Sequence, residues 1–346
     1  MISKKNISRK LFQISLMIGI SFAADLTAPL KTYQNDIQTD EIIELKPYSK
    51  SHFSILTEND AYFDAHTDYY YTAGTSFIYT TKEFDFSHSW LRFISIDHSD
   101  TKLSRFSFGL HQDLYTPIKR GADVDLNDFP YAGFLSFDTT LSNRRKNSLE
   151  NLKIQIGIVG PAALAKQTQQ LIHKLTKNPI FYGWDTQLKN EFILNFYYEY
   201  IYRYEFFNKN GFGLDVLPGL KIALGNAYDY MGLGYRLRLG YHLQNDFGAQ
   251  KINTSFIGSQ PYSDDFSFYV FGGIIGYYVA RNIFVQGNSF GPHRLDLIPL
   301  TYEAELGAVI SYKGFSFSYV FTHKSAEFRG SRPYHNFGSI LLGFAF

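Results

Sequence analysis

Leu233-Gly234-Tyr235-Arg236-Leu237-Arg238-Leu239-Gly240-Tyr241-His242-Leu243 alternates throughout: every odd position is apolar or aromatic, and every even one is Gly, Arg or His. Period 2 sends the two sets to opposite faces of one extended strand. The pattern recurs at 301–312, where Tyr302, Ala304, Leu306, Ala308 and Ile310 oppose Thr301, Glu303, Glu305, Gly307 and Val309. Between 191 and 205 an apolar or aromatic residue fills every even position from Phe192 to Tyr204, against Glu191, Asn195, Glu199, Arg203 and Glu205. A soluble sandwich alternates too, so length arbitrates. These runs reach the roughly 9–11 residues that a tilted strand needs to cross a bilayer, against about 5–6 for an ordinary strand. The apolar face then meets lipid, and the charged face a polar lumen.

Composition agrees. Of 346 residues, 18% are aromatic, with 27 Tyr and 33 Phe, and only 19% are charged. A mean hydropathy of −0.19 is too polar for a helical membrane protein, and no run approaches the roughly 20 apolar residues of a spanning helix. A net charge of +1 removes the electrostatic case for a nucleic-acid partner. The absence of cysteine excludes disulfides and thiolate chemistry. Lys4, Lys5, Arg9 and Lys10, then the apolar stretch Leu11–Ile20 and Ser21-Phe22-Ala23, read as a secretory signal peptide over 1–23. A polar periplasmic leader is expected over 24–50, and a transmembrane antiparallel β-barrel over 51–346.

About twelve strands can be counted, the even number that single-chain bacterial barrels have. Aromatics near strand ends (Tyr69, Tyr70 and Tyr71; Tyr198 to Tyr204) suit interfacial girdles, and Ile340, Leu342, Phe344 and Phe346 form a terminal pattern that resembles the signal by which barrel-assembly machinery recognises outer-membrane barrels. An even count returns both termini to the periplasm, so the connections near 59–71, 114–130 and 159–189 face outward, and chemistry is expected there. The third holds an amphipathic helix opened by Gly160-Pro161, Pro being tolerated in a first turn. It places Leu164, Thr168, Leu171, Ile172 and Leu175 on one face and Lys166, Gln169, Gln170, His173 and Lys177 on the other. On that polar face, His173 taken alone reads as solvated. The first connection opens with Glu58-Asn59-Asp60, oxygen donors suited to Ca²⁺ or Mg²⁺ rather than zinc, or equally a capped turn. Thr72, Lys119 and Arg120 share the same rim. Gly287-Asn288-Ser289-Phe290-Gly291 fits the serine-hydrolase pattern G-x-S-x-G, which needs a strand–turn–helix elbow; Pro292 follows, so a loop is expected instead.

These residues carry a family resemblance. Glu58-Asn59-Asp60, Tyr71-Thr72-Ala73-Gly74, Gln112-Asp113-Leu114-Tyr115-Thr116-Pro117, Pro130-Tyr131-Ala132-Gly133 and Gly157-Ile158-Val159-Gly160-Pro161 resemble successive signatures of the outer-membrane lipid A 3'-O-deacylases. His173, Gly183-Trp184-Asp185, Gln187-Leu188, Asn190-Glu191 and Ser325-Ala326-Glu327-Phe328-Arg329 continue the match, which covers 52–346. The resemblance implies a twelve-stranded, monomeric outer-membrane enzyme with an outward-facing site. It would be a Ca²⁺-dependent esterase removing the 3' acyl chains of lipid A in lipopolysaccharide, without a covalent nucleophile. His173 would be the general base, Asp60 and Asn59 would hold the metal and shape the site, and Thr72 with Lys119 or Arg120 would orient substrate. The sequence departs where the family often has an acidic residue, about six positions after the helix histidine. Lys177-Asn178-Pro179 stands there, which predicts weaker metal binding or a ligand recruited from Glu58 or Asp185. Two other readings stay open: a phospholipase or esterase with the same machinery, and a channel whose pore Arg236, Arg238, Glu303 and Glu305 line.

Overall fold

The computed structural model describes residues 45–62, 69–86, 93–96, 102–119, 125, 127–252, 255–291 and 294–346; the expected signal peptide and most of the leader lie outside them. The chain from Leu45 to Phe346 is one compact unit. Its strands are β1 (His52–Asn59), β2 (Tyr70–Thr80), β3 (Leu103–Thr116), β4 (Ala132–Arg144), β5 (Ser148–Val159), β6 (Glu191–Tyr202), β7 (Tyr204–Lys209), β8 (Phe212–Gly225), β9 (Tyr228–Tyr241), β10 (Ser267–Asn282), β11 (Leu300–Tyr312), β12 (Phe315–Ser325) and β13 (Tyr334–Ala345). Consecutive strands pair antiparallel, except that β6 and β7 both pair with β8 instead of with each other. The ring closes through β1 against β13, with His52 opposite Ala345 and Asn59 opposite Gly338.

β6 and β7 are two halves of one wall. Both pair with β8, Ile201 opposite Gly219 and Tyr204 opposite Val216, so the register runs on through the break. That register sets Pro218 opposite Tyr202, and a proline has no N–H to give the ladder. The result is a closed antiparallel barrel of twelve strands.

Burial follows the alternation. Phe108, Leu110, Phe137, Ile154, Ile156, Phe192, Leu194, Phe196, Leu237 and Leu239 stay exposed on the outside, while Asp138, Lys153, Gln155, Glu199, Arg236 and Arg238 are buried within. Tyr202 and Tyr204 are exposed, as a girdle requires. Tyr70 and Tyr71 are not girdle residues. They are buried in a rim cluster with Phe129, Phe284, Phe328 and Phe337.

The lumen is filled. Between β9 and β10, at the end of the barrel where β1 begins and β13 finishes, the chain folds back inside. Leu243, Phe247, Ile252, Phe256 and Ser259 are all buried there. This plug is bonded to walls all round it. The Arg238 guanidinium joins Asp246 at 2.6 Å and Asp215 of β8 at 2.6 Å. The Lys251 ammonium meets Glu58 of β1 at 3.1 Å, and Lys221 of β8 donates to the Ser255 carbonyl at 2.5 Å. The Ser255 amide donates to Glu303 of β11 at 2.7 Å, and Arg105 of β3 donates to the Gln260 carbonyl at 2.7 Å. Arg236 pairs with Glu305. The four charges that would have lined a pore are thus bound to partners within a packed interior. A lumenal cavity of about 60 Å³ remains, bordered by Tyr71, Tyr115, Tyr228, Tyr230, Tyr277 and Glu303.

Replacing Arg238 by Met would leave the Asp246 carboxylate without its cation in the interior, and Asp215 with Arg203 alone at 3.6 Å. Removing one partner of a buried ion pair costs about 3–5 kcal/mol. Urea unfolding of the refolded barrel in lipid vesicles should show a loss of that order, and an unchanged midpoint would mean the plug is not anchored there.

Candidate active site

At the end of the barrel away from the termini, the register aligns a row of residues from four strands. Asn59 of β1 stands opposite Ala73 of β2, Ala73 opposite Leu114 of β3, and Leu114 opposite Gly133 of β4. Neighbouring strands lie about 4.8 Å apart, so the row spans about 14 Å. Alternation puts it on the outer, lipid-facing side: Asn59 shares its face with the exposed Phe53 and Ile55, and Leu114 with the exposed Phe108 and Leu110.

Thr72 joins the row through a bulge. The β2–β3 register slips between Tyr71 and Ala73, leaving Thr72 as the extra residue, and such a bulge re-aims a side chain. Its hydroxyl lies 2.6 Å from that of Thr116, two residues beyond Leu114 on the same outer face. Asn59 ends β1 in an Asx turn, its side-chain oxygen accepting from the Ala61 amide at 2.7 Å. Asp60 opens a short 3-10 turn and is buried, its carboxylate accepting from the Tyr69 amide at 3.0 Å.

Over the β3 and β4 end of this row lies helix α1 (Ala165–Thr176). Its approach depends on two glycines. Gly160 has φ 108°, the region that favours glycine, and its amide donates to the Gly133 carbonyl at 2.9 Å. A Cβ on Gly133 would stand 2.5 Å from that of Ala165, so only a bare backbone admits the helix. Gln112 donates to the Ala163 carbonyl at 2.7 Å. Leu114, Tyr131, Ala165, Phe181 and Trp184, with Ala73 beside them, form the apolar seam.

The helix is turned the opposite way from the sequence expectation. Ala165, Gln169 and His173 face the wall, buried, while Leu164, Leu171, Ile172 and Leu175 are exposed. A helix beside a lipid-facing wall has no need to hide its leucines from water, so the rule for soluble helices fails. His173 is therefore not a solvated residue: it is 8% exposed, edge-on to the Phe181 ring at 5.0 Å. Its Nδ1 lies 2.6 Å from the Pro179 carbonyl. A carbonyl only accepts, so Nδ1 carries the proton and the basic lone pair sits on Nε2. The helix end makes this possible. Lys177 is left-handed at φ 59°, and the Lys177 and Asn178 amides both return to the His173 carbonyl, turning the chain back on itself. The stretch where the resemblance places an acid supplies a main-chain acceptor instead.

Glu58 does not join Asn59 and Asp60. Adjacent strand residues face opposite ways, and Glu58 points into the lumen, where Lys251, the Tyr71 hydroxyl at 2.8 Å and the Ser339 hydroxyl at 2.9 Å hold its carboxylate. It ties the strands from behind, because Glu58 precedes Asn59 and Tyr71 precedes Thr72. Asp185 is exposed and paired with Lys166 at 2.6 Å. Lys119 is exposed, its ammonium 2.6 Å from Asp125, whose hydrogen bond raises the lysine's pKa. Arg120 lies outside the described residues. Among those residues no group of three or more carboxylates and imidazoles is placed to hold a metal. Asn59 and Asp60 offer the hard oxygens that Ca²⁺ takes, and such an ion would draw the rest of its shell from main-chain carbonyls, water and substrate. The Ser289 hydroxyl donates to Glu191 at 2.5 Å and its amide to the same carboxylate at 2.8 Å, so it braces a loop rather than forming an elbow.

The family model described as outer membrane protein LpxR matches residues 13–346. The chain belongs to this family. It is an outer-membrane β-barrel protein. Its fold is similar to the solved structure of LpxR from Salmonella typhimurium, at 20% identity and a TM-score of 0.71, over 85% of this chain and 100% of that one. The beta domain of the Bordetella autotransporter BrkA overlaps less well, at 9% identity and a TM-score of 0.44, over 86% of this chain and 98% of that one. No curated protein matched the sequence.

Three members of the site escaped the reading of the sequence. Thr116 partners Thr72, Gln169 accepts from the Trp184 indole at 2.6 Å, and Gly133 makes room for α1. Thr116, Gly133 and Trp184 stand in motifs that the resemblance picked out without a role. Gly133→Leu should detach the start of α1 while the barrel stays folded. The expected signature is new protease cleavage between 160 and 190 with the heat-modifiable gel shift of a folded barrel retained; protection equal to the parent chain would contradict the docking role.

Proposed function

We propose that this protein is a lipid A deacylase of the outer membrane, hydrolysing the ester-linked acyl chains at the 3' position, with its site on the outward rim. The family supports the deacylase reading. The observation that carries the mechanism is the 2.6 Å contact between Nδ1 of the buried His173 and the Pro179 carbonyl, on the lipid side of the wall, which supports Nε2 as the base. Water gives its proton to Nε2 as its oxygen attacks the ester carbonyl. The tetrahedral intermediate collapses, the sugar oxygen leaves with a proton returned from the imidazolium, and a fatty acid and a 3'-hydroxyl result. Thr72 orients the substrate beside Asn59 and Asp60, and Lys119 with Arg120 meets its phosphates. Asn59 and Asp60 would hold Ca²⁺, which when bound would polarise the ester carbonyl as a Lewis acid. The protein acts as a monomer, placed by the assembly machinery that reads its C-terminal strand.

Lipid A from Gram-negative cells expressing this chain should lose the mass of the 3' acyl chains. His173→Ala should restore it, because a positioned base contributes about 10²–10⁴-fold. Spectra matching the empty vector for both, with folded protein in the outer membrane, would sink the proposal. With so few anionic donors, Ca²⁺ should bind weakly, at roughly 10⁻⁴–10⁻³ M. A chelator should stop fatty-acid release by purified protein and excess Ca²⁺ restore it; turnover indifferent to the chelator would remove the metal from the scheme.

A further inference from the structure

The exposed leucines of α1 need a partner, and the geometry says which. At about 100° per residue, α1 presents three sectors. Ala165, Gln169 and His173 face the wall. About 60–140° to one side lie Lys166, Gln170 and Lys174, and about 60–160° to the other lie Ile172, Leu175 and Leu171. The polar sector is fixed in direction. Lys166 pairs with Asp185 in the short turn 183–186, whose Trp184 packs on Tyr131 at 5.1 Å. Tyr131 precedes the first residue of β4, so this turn lies rimward of Gly133. The polar sector thus looks to the rim, and the apolar sector looks toward the middle of the barrel, above Phe108, Leu110 and Phe137 of the lipid-facing belt, which are themselves exposed.

We propose that α1 is an interfacial helix, lying along the boundary between headgroups and acyl chains. Its apolar sector continues the belt of the barrel and is covered by the acyl chains of the surrounding leaflet, while Lys166, Gln170 and Lys174 meet the headgroup layer. The continuity with the membrane-spanning surface argues for lipid as the occupant, and so does the charge: the helix carries lysines and no acidic residue, the pattern of a helix resting on anionic lipid. The inference concerns the membrane alone and stands whether or not the protein is a deacylase.

The natural absence of cysteine makes the test clean, since each single-cysteine variant takes one nitroxide label. Leu171→Cys, Leu175→Cys, Gln170→Cys and Lys174→Cys would be labelled in the full-length mature chain and reconstituted in phosphatidylcholine–phosphatidylglycerol vesicles, with Ile154→Cys on the belt as the lipid reference. Collision with oxygen, which concentrates in acyl chains, and with a water-soluble nickel chelate would be read by electron paramagnetic resonance. Labels at 171 and 175 should be oxygen-exposed and nickel-protected, matching that at 154, while those at 170 and 174 should be nickel-exposed. Either leucine position decides if the other variant fails to fold. Nickel exposure at 171 and 175 equal to that at 170 and 174 would place α1 in water and overturn the inference.

Discussion

Inside hydrocarbon no water is present to cap a backbone N–H or C=O, so a sheet that crosses a bilayer has to close on itself. The β1–β13 pairing is the contact on which that closure rests here, and it joins strands almost 300 residues apart in the chain. Once the ring is closed, each strand has an outside that lipid must accept and an inside that it cannot reach. Twelve strands enclose more space than their own side chains occupy, so the interior needs a filler, and the β9–β10 segment provides it. Charged groups serve as the adhesive there because each is satisfied by a partner, which a buried charge requires.

The same two-sidedness organises the site. Asn59 and Thr72 face outward, while the residues immediately before them, Glu58 and Tyr71, bond to each other inside the barrel. The wall is one residue thick, so a fixed network on its inner surface sets the positions of groups on its outer surface. The histidine arrives from a different element altogether. Its placement depends on the absence of a side chain at Gly133 and on a turn at Lys177 that brings a carbonyl back to the ring. The site is thus a seam between a rigid wall and a docked helix.

Much of this is legible in the sequence, for identifiable reasons. All twelve walls follow from alternation, since one face meets lipid and the other does not. Thr72 and His173 are marked by motif. Glu58 could have been separated from Asn59 by the same alternation, because adjacent strand residues cannot share a face. The plug is illegible: the buried stretches 243–252 and 255–262 have no period, as a segment packed on several sides needs none. The orientation of α1 misleads because amphipathicity reports which face is apolar, whereas the identity of the solvent decides which face turns in. The acceptor for His173 leaves no mark at all, since every residue carries a carbonyl.

The plug also ties together parts of the chain that are far apart in sequence. It is followed by the last four strands, yet its bonds reach back to β1 and β3, with Ile252 separated from Glu58 by 194 positions. Contacts so distant along the chain are slow to form, and the plug can bridge β1, β3, β8 and β11 only where the curl of the sheet has brought those walls around it, so the β1–β13 seam is also the latch that keeps the interior in place.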